Sequence, residues 1–250
     1  MTRIYDDRRP LDYANVEDFF RRRSSRMAET GPLSVTMYQT EDLARRRDEH
    51  EKAVVLPQLG VTPLTRVLDV GCGTGRWGVT LFPLVSTYLG TDFNQVFVDA
   101  GNRLVTEAGL DNDRFAFQQV DAREIGNAEL LQKGAFNLII IAGVTLFLND
   151  EDVLSLYQSL SELAAPGASI YLREPLGISH RLTLLDDHST QLDDRYNAVY
   201  RTESELLELM EHGFQSRNPT VGFNVALFPP ELQTSTARET EQRVFVVRLD

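Results

Sequence analysis

The sequence predicts an α/β protein: a seven-stranded, mostly parallel, doubly wound sheet preceded by a helical N-terminal cap. Two observations lead there. From Arg66 onward, short apolar runs alternate with helix-patterned stretches, the rhythm of a parallel sheet covered by helices on both faces. Before that point two polar, helix-patterned stretches flank "GPLSVTMYQT", which reads as a loop or extended piece.

In chain order, Asp12 to Met27 reads as a helix carrying the aromatic pair Phe19-Phe20, and Gly31-Pro32 signals a turn. Glu41 to Leu59 reads as a second helix with apolar positions at Leu43, Ala53, Val54 and Leu56. The strands then follow as "RVLDV", "STYLGTD", "RFAFQQVD", "FNLIIIAG" and "ASIYLRE", with helices expected over Arg76–Leu84, Gln95–Ala108 and Asp150–Leu163. A short helical piece is expected at Ala128–Leu131, and Pro166-Gly167 stops the third helix. After Glu174 the rhythm breaks into a polar insertion, followed by a helix from Thr202 to His212 and strands near "TVGFNVALF" and "RVFVVRLD". The expected organisation is a cap over residues 1–62 and a ligand-binding domain over 63–250, with the insertion around 175–201 serving the substrate.

Apolar residues make up 42% of the 250, enough for a sizeable core. The net charge of −12 argues against a nucleic-acid partner, because the Arg-rich stretches "RRRSSR" and "ARRRDEH" sit among acids and read as solvated helix faces. Cys72 is the single cysteine, so no intrachain disulfide forms and a reducing, cytoplasmic setting is expected. The N-terminus lacks a signal-peptide pattern, and no stretch approaches the roughly 20 apolar residues of a membrane span. Oligomeric state is not legible.

Chemistry concentrates in "RVLDVGCGTGRW", Arg66 to Trp77. Glycines that end a strand and open a helix expose backbone N–H groups and let a ligand approach the chain closely. The order Gly71-x-Gly73-x-Gly75 departs from the dinucleotide spacing, and Asp69 at the strand end would repel a phosphate. A positively charged ligand suits Asp69 better.

These residues resemble the first motif of the class I S-adenosylmethionine-dependent methyltransferases, and the resemblance runs well from Arg66 to Glu174 and by topology through the last two strands. It implies an antiparallel C-terminal strand and S-adenosylmethionine as cofactor, with S-adenosylhomocysteine as product. It assigns Asp69, Gly71, Gly73 and Gly75 to the amino-acid and ribose part, and Arg76 to the cofactor carboxylate. Asp92 matches the acid that holds the ribose hydroxyls, which suits an ionised carboxylate facing two O–H donors, with Phe93 beside adenine. Asp121 and Ala122 match the adenine contacts, and Ala142 and Gly143 the tip nearest the transferred methyl. Singly, Asp92 also reads as a helix cap and Asp121 as a surface turn. Jointly they end successive parallel strands, where open α/β sheets bind ligands.

The acceptor is expected to be a small molecule methylated on oxygen or nitrogen. Glu174, closing the fifth strand, is the leading candidate to serve it, with His180 and His188 as candidate bases. Each histidine equally reads as an exposed side chain. Asp186, Asp187 and His188 lack a distinctive metal-ligand spacing, so no metal is assigned. Tyr38 and Arg47 are candidates to close over the cofactor, and Tyr5 and Tyr13 to belong to a lid. Three other readings stay open: methylation of a protein or peptide N-terminus, S-adenosylmethionine binding without catalysis, and an NAD-dependent oxidoreductase.

Overall fold

The computed structural model describes residues 2–30, 40–126, 130, 135–189, 193–233 and 239–250. Its main sheet contains β2 (Arg66–Val70), β3 (Thr87–Asp92), β4 (Phe115–Gln119), β5 (Phe136–Ala142), β6 (Ala164–Gly177), β9 (Thr220–Ala226) and β10 (Thr240–Arg248). Across the sheet they lie in the order β4-β3-β2-β5-β6-β10-β9. The pairs from β4 through β6 are parallel, and β10 is antiparallel to both neighbours. This is the expected seven-stranded doubly wound sheet with its antiparallel C-terminal strand. The strand order reverses between β2 and β5, and a crevice opens beyond their carboxyl ends.

Both sheet faces are buried, which explains why β5 is apolar without a break from Leu138 to Ala142. Leu138 and Ile140 face one core with Val67, Tyr171 and Val244. Ile139 and Ile141 face the other with Leu68, Ile170 and Phe245. The first core is covered by α4 (Arg76–Leu81) and α5 (Gln95–Glu107), the second by α6 (Asp150–Leu163) and α7 (Glu203–Gly213). Local chemistry places the helix starts. Asn94 caps α5 by accepting from Val96 N–H, and Thr202 with Glu205 forms a capping box on α7. None of the helices among the described residues is long and apolar enough to cross a membrane.

The N-terminal segment carries α1 (Tyr13–Ser25), the short α2 (Met27–Thr30) and α3 (Glu41–Val55). The expectation of a purely helical cap needs correction, because Thr2–Tyr5 forms strand β1. The insertion is likewise a pair of strands, β7 (Leu182–Ser189) and β8 (Asp194–Tyr200). Together they make a second, antiparallel sheet ordered β1-β7-β8. Its apolar side, with Leu182, Leu184 and Ala198, packs on Leu11, Val16 and Phe147, so the segment and the insertion share one small core. A four-residue strand whose partner lies about 180 positions away leaves no local signal. The expected helix at Ala128–Leu131 falls mostly outside the described residues.

Candidate functional site

The glycine loop needs glycines for two separate reasons. Gly71 and Gly75 both hold a left-handed backbone, φ 63° and 91°. Added Cβ atoms would also fall 2.5 Å from Val144 and 2.6 Å from Phe117. The loop therefore presses directly against the tip of β5 on one side and against β4 on the other. Gly75 is the N-cap of α4 and packs against Phe117, so unlike Gly71 and Gly73 it does not line the crevice.

One cleft collects the ends of the strands and the N-terminal helices. Asp69, Gly71, Cys72, Gly73, Arg76, Asp92, Phe93, Asp121, Ala122, Ala142 and Gly143 all line it. Asp92 closes β3 and is locked by backbone: Oδ2 accepts from Gly73 N–H at 3.0 Å and Oδ1 from Asn94 N–H at 2.9 Å. Burial pushes its carboxyl up to about 6, against the pull of those two N–H donors. Asp69 is more deeply enclosed, and burial lifts it to about 7 although Tyr88 O–H donates to it at 2.5 Å. Asp121 caps the turn Ala122–Glu124 by accepting from Arg123 N–H. Burial there would raise the carboxyl, but the Arg123 guanidinium on both oxygens holds it low.

The wall facing the glycine loop comes from the N-terminal segment and from Val144–Leu148. Val16 and Phe20 of α1 meet Phe93, Leu146 and Phe147 there. Phe20 stands edge-on to Phe93 at 5.6 Å and to Phe147 at 5.0 Å. Its own carbonyl accepts from the Asn94 side chain, tying α1 to the tip of β3. Ala44, Asp48 and Glu51 line the cleft from α3. A phosphate-bearing ligand is poorly suited to a crevice floored by Asp69 and Asp92. A nucleoside with hydroxyl donors and a cationic centre fits both carboxylates.

The three residues expected to act on the acceptor are not brought into this cleft. Glu174 is 1% exposed, and its Oε1 accepts from Val144 N–H at 3.0 Å and Thr145 N–H at 2.9 Å. Its carboxylate holds the segment after β5 and does not line the cleft, and burial pushes it up. His180 lies on the surface, 3.0 Å from Asp6. His188 faces Asp193 at 3.7 Å on the outer part of β7. Among the described lining residues none is a histidine. Asp186 and Asp187 go to different partners, Arg195 and Arg3. Arg47 is buried away from the cleft, donating to Leu232 C=O and stacked over Phe228 at 4.6 Å. Tyr13 lines the cleft, whereas Tyr5 is exposed and donates to Glu239. Tyr38 lies outside the described residues.

Sequence reasoning passed over Asp48, Glu51, Arg173 and Gln242, which all line the cleft. Asp48 and Glu51 sit in "EDLARRRDEHEKAVV", which reads as a solvated helix. A signal was present: Arg47, Glu51 and Val55 recur every fourth residue, and all three are buried.

The sheet order, the glycine loop and the acids at successive strand tips define a nucleoside-binding fold of the class I methyltransferase type. Residues 67–167 match the family model described as a methyltransferase domain. Over that stretch the chain is similar to a methyltransferase domain, and its sheet has the class I methyltransferase fold. No curated protein matches it by sequence. Among solved structures it is similar to phosphoethanolamine N-methyltransferase 1 of Haemonchus contortus, at 17% identity and a TM-score of 0.68. That match covers 95% of this chain but 50% of the other, so the chain spans half that protein's length. The magnesium protoporphyrin IX methyltransferase of Synechocystis PCC 6803, solved with bound S-adenosylmethionine, aligns at 14% identity and TM-score 0.61, over 96% of this chain and 98% of that one. The 4+2 cyclase SpnF aligns at 14% identity and TM-score 0.65, over 94% of each chain. At these identities the likeness is one of fold.

Proposed function

We propose that the protein transfers the methyl group of S-adenosylmethionine to an oxygen or nitrogen of a small-molecule acceptor. The observation that carries this reading is the convergence of Gly71, Gly73, Asp92, Asp121 and Gly143 on one cleft whose opposite wall is aromatic and apolar. When bound, the cofactor supplies an electrophilic methyl on a sulfonium. Asp92 accepts from the ribose hydroxyls, Asp121 and the Ala122 N–H address the adenine edge, and Arg76 takes the carboxylate. Ala142 and Gly143 face the reacting end.

Methyl transfer is an in-line displacement, so the chain's task is to align the acceptor and exclude water. Val16, Phe20, Leu146 and Phe147 suit that task, offering an apolar surface beside the β5 tip. An amine acceptor needs only desolvation and loss of a proton, whereas a hydroxyl needs a carboxylate from the lining to take its proton. Glu174 serves the acceptor indirectly, by holding the backbone of Val144 and Thr145.

Calorimetry tests the donor side: S-adenosylhomocysteine is expected to bind and NAD is not. The opposite pattern would sink the reading. Incubation with methyl-labelled S-adenosylmethionine and metabolite extracts, compared with a basic peptide library, tests the acceptor class. Label entering peptides alone would reject a small-molecule acceptor.

A further inference from the structure

Two arginines reach the same end of the cleft from different elements. Arg76 opens α4 directly after the glycine loop, and Arg173 stands on β6 beside the tip of β5. The Arg173 Nη2 would lie 3.2 Å from a Cβ placed on Gly143. Both guanidiniums meet one carboxylate, that of Glu51 on α3. Its Oε1 accepts from Arg76 Nη2 at 2.9 Å, and its Oε2 lies 3.5 Å from Arg173 Nη1. Tyr171 O–H at 2.6 Å and Trp77 Nε1–H at 3.2 Å also donate to Oε1. One turn earlier on α3, Asp48 accepts from Arg76 Nη1 at 2.6 Å. Glu51 is 1% exposed, so this is a buried ionic hub in which the N-terminal segment supplies the carboxylates.

Such a hub is costly to build: desolvating ions offsets most of their attraction, and apolar residues of like size would serve stability as well. What it does provide is orientation. A guanidinium is a planar fork with five N–H donors, and Arg76 gives one from each terminal nitrogen to Asp48 and Glu51, fewer than it carries. Pre-anchored side chains also lose less freedom when a ligand arrives.

Resting on the cofactor reading above, we propose that Glu51 is a positioning residue for cofactor binding. It holds Arg76 and Arg173 as a fixed pair at the amino-acid end of the cleft, ready for the cofactor's carboxylate. The N-terminal segment is thereby part of the cofactor site and not only its cover. Glu51→Gln turns one acceptor oxygen into an N–H₂ group facing cationic donors, so the pair loses its register.

The experiment compares S-adenosylhomocysteine with 5′-methylthioadenosine, which lacks the amino-acid end, by calorimetry on the full chain. In Glu51→Gln the first should weaken by about tenfold or more, the worth of a charge-assisted hydrogen bond, while the second changes by less than about twofold. Equal loss of both, or no loss of the first, overturns the proposal and makes Glu51 a core residue only. Glu51→Asp keeps the charge but withdraws it by one methylene, and covers the case in which the glutamine variant does not fold. Its preference for S-adenosylhomocysteine should fall by roughly threefold, and an unchanged preference overturns the proposal. A wild-type protein that binds neither nucleoside overturns the cofactor reading itself, and this inference with it.

Discussion

Asp92 and Asp69 are carboxylates of the same cleft with different tasks. In the proposed cofactor reading Asp92 accepts from two ribose hydroxyls and must be ionised to do so, and burial pushes its carboxyl up to about 6. Affinity for S-adenosylhomocysteine should therefore fall as pH drops through about 6, and Asp92→Asn should flatten that dependence. Calorimetry at pH 5 and pH 7.5 checks this. Asp92→Ala should cost about 2 kcal/mol of binding by removing charge-assisted hydrogen bonds. Asp69 bears on stability. Its folded value of about 7 lies above the ordinary 3.8, so the folded state holds the proton more tightly. Its contribution is full below the ordinary value and is lost as pH rises through about 7. Asp69→Asn should accordingly raise Tm more at pH 8 than at pH 5, by about 2–4 °C for each kcal/mol recovered. Glu51 runs the other way. Burial would raise it, but Arg173 and Arg76 hold it at about 2, so its contribution is present above about 4.5 and is lost as pH falls toward 2.

The segment after β5 illustrates how elements are held for a purpose. Its N–H groups at Val144 and Thr145 bond to Glu174, while its carbonyls at Thr145 and Leu148 accept from Arg201 at 2.7 Å each. Two buried charged side chains, one from β6 and one just past β8, thus fix opposite edges of the turn that carries Phe147. Glu174→Ala orphans two buried N–H donors and should cost roughly 2–4 kcal/mol in urea unfolding. Glu174→Gln keeps an acceptor oxygen and should cost less, with S-adenosylhomocysteine affinity unchanged in both. A large loss of affinity in Glu174→Gln would show that the carboxylate acts on the ligand directly. This arrangement also explains why the end of "ASIYLRE" was misleading. Position at a strand tip was legible, but the direction of the side chain depends on which backbone donors the neighbouring turn presents. His180 and His188 stay outside the cleft for a related reason, since His180 lies on the surface just before β7 and His188 on the outer part of that strand.

At the scale of the molecule, the N-terminal segment and the insertion act together. β1 pairs with β7, Val16 and Phe147 share a core with β8, and Glu51 sits within the main domain's charge network. We expect that removing residues 1–62 leaves an unstable remainder, because Val55 and Leu59 leave the main core and Arg76 and Arg173 lose their buried counter-ion. Weak near-UV circular dichroism and loss of a cooperative melt would bear this out. A truncated chain that melts cooperatively would show the segment to be a separable cap.

The sequence by itself determined the sheet, its strand sequence and the glycine loop and strand-tip acids that line the cleft. Short apolar runs and a glycine loop are local features, and the acids at strand tips inherit their place from the chain order. Thus Asp69, Asp92 and Asp121 were legible from a few residues around each. Only the tertiary structure decided the apolar wall of the cleft, the second sheet and the hub at Glu51. Those depend on contacts between positions far apart in the chain, such as Thr2–Tyr5 with Leu182–Leu185, or Glu51 with Arg173. A carboxylate in a charged helix carries no local mark of burial. Its meaning comes from the two arginines that fold against it.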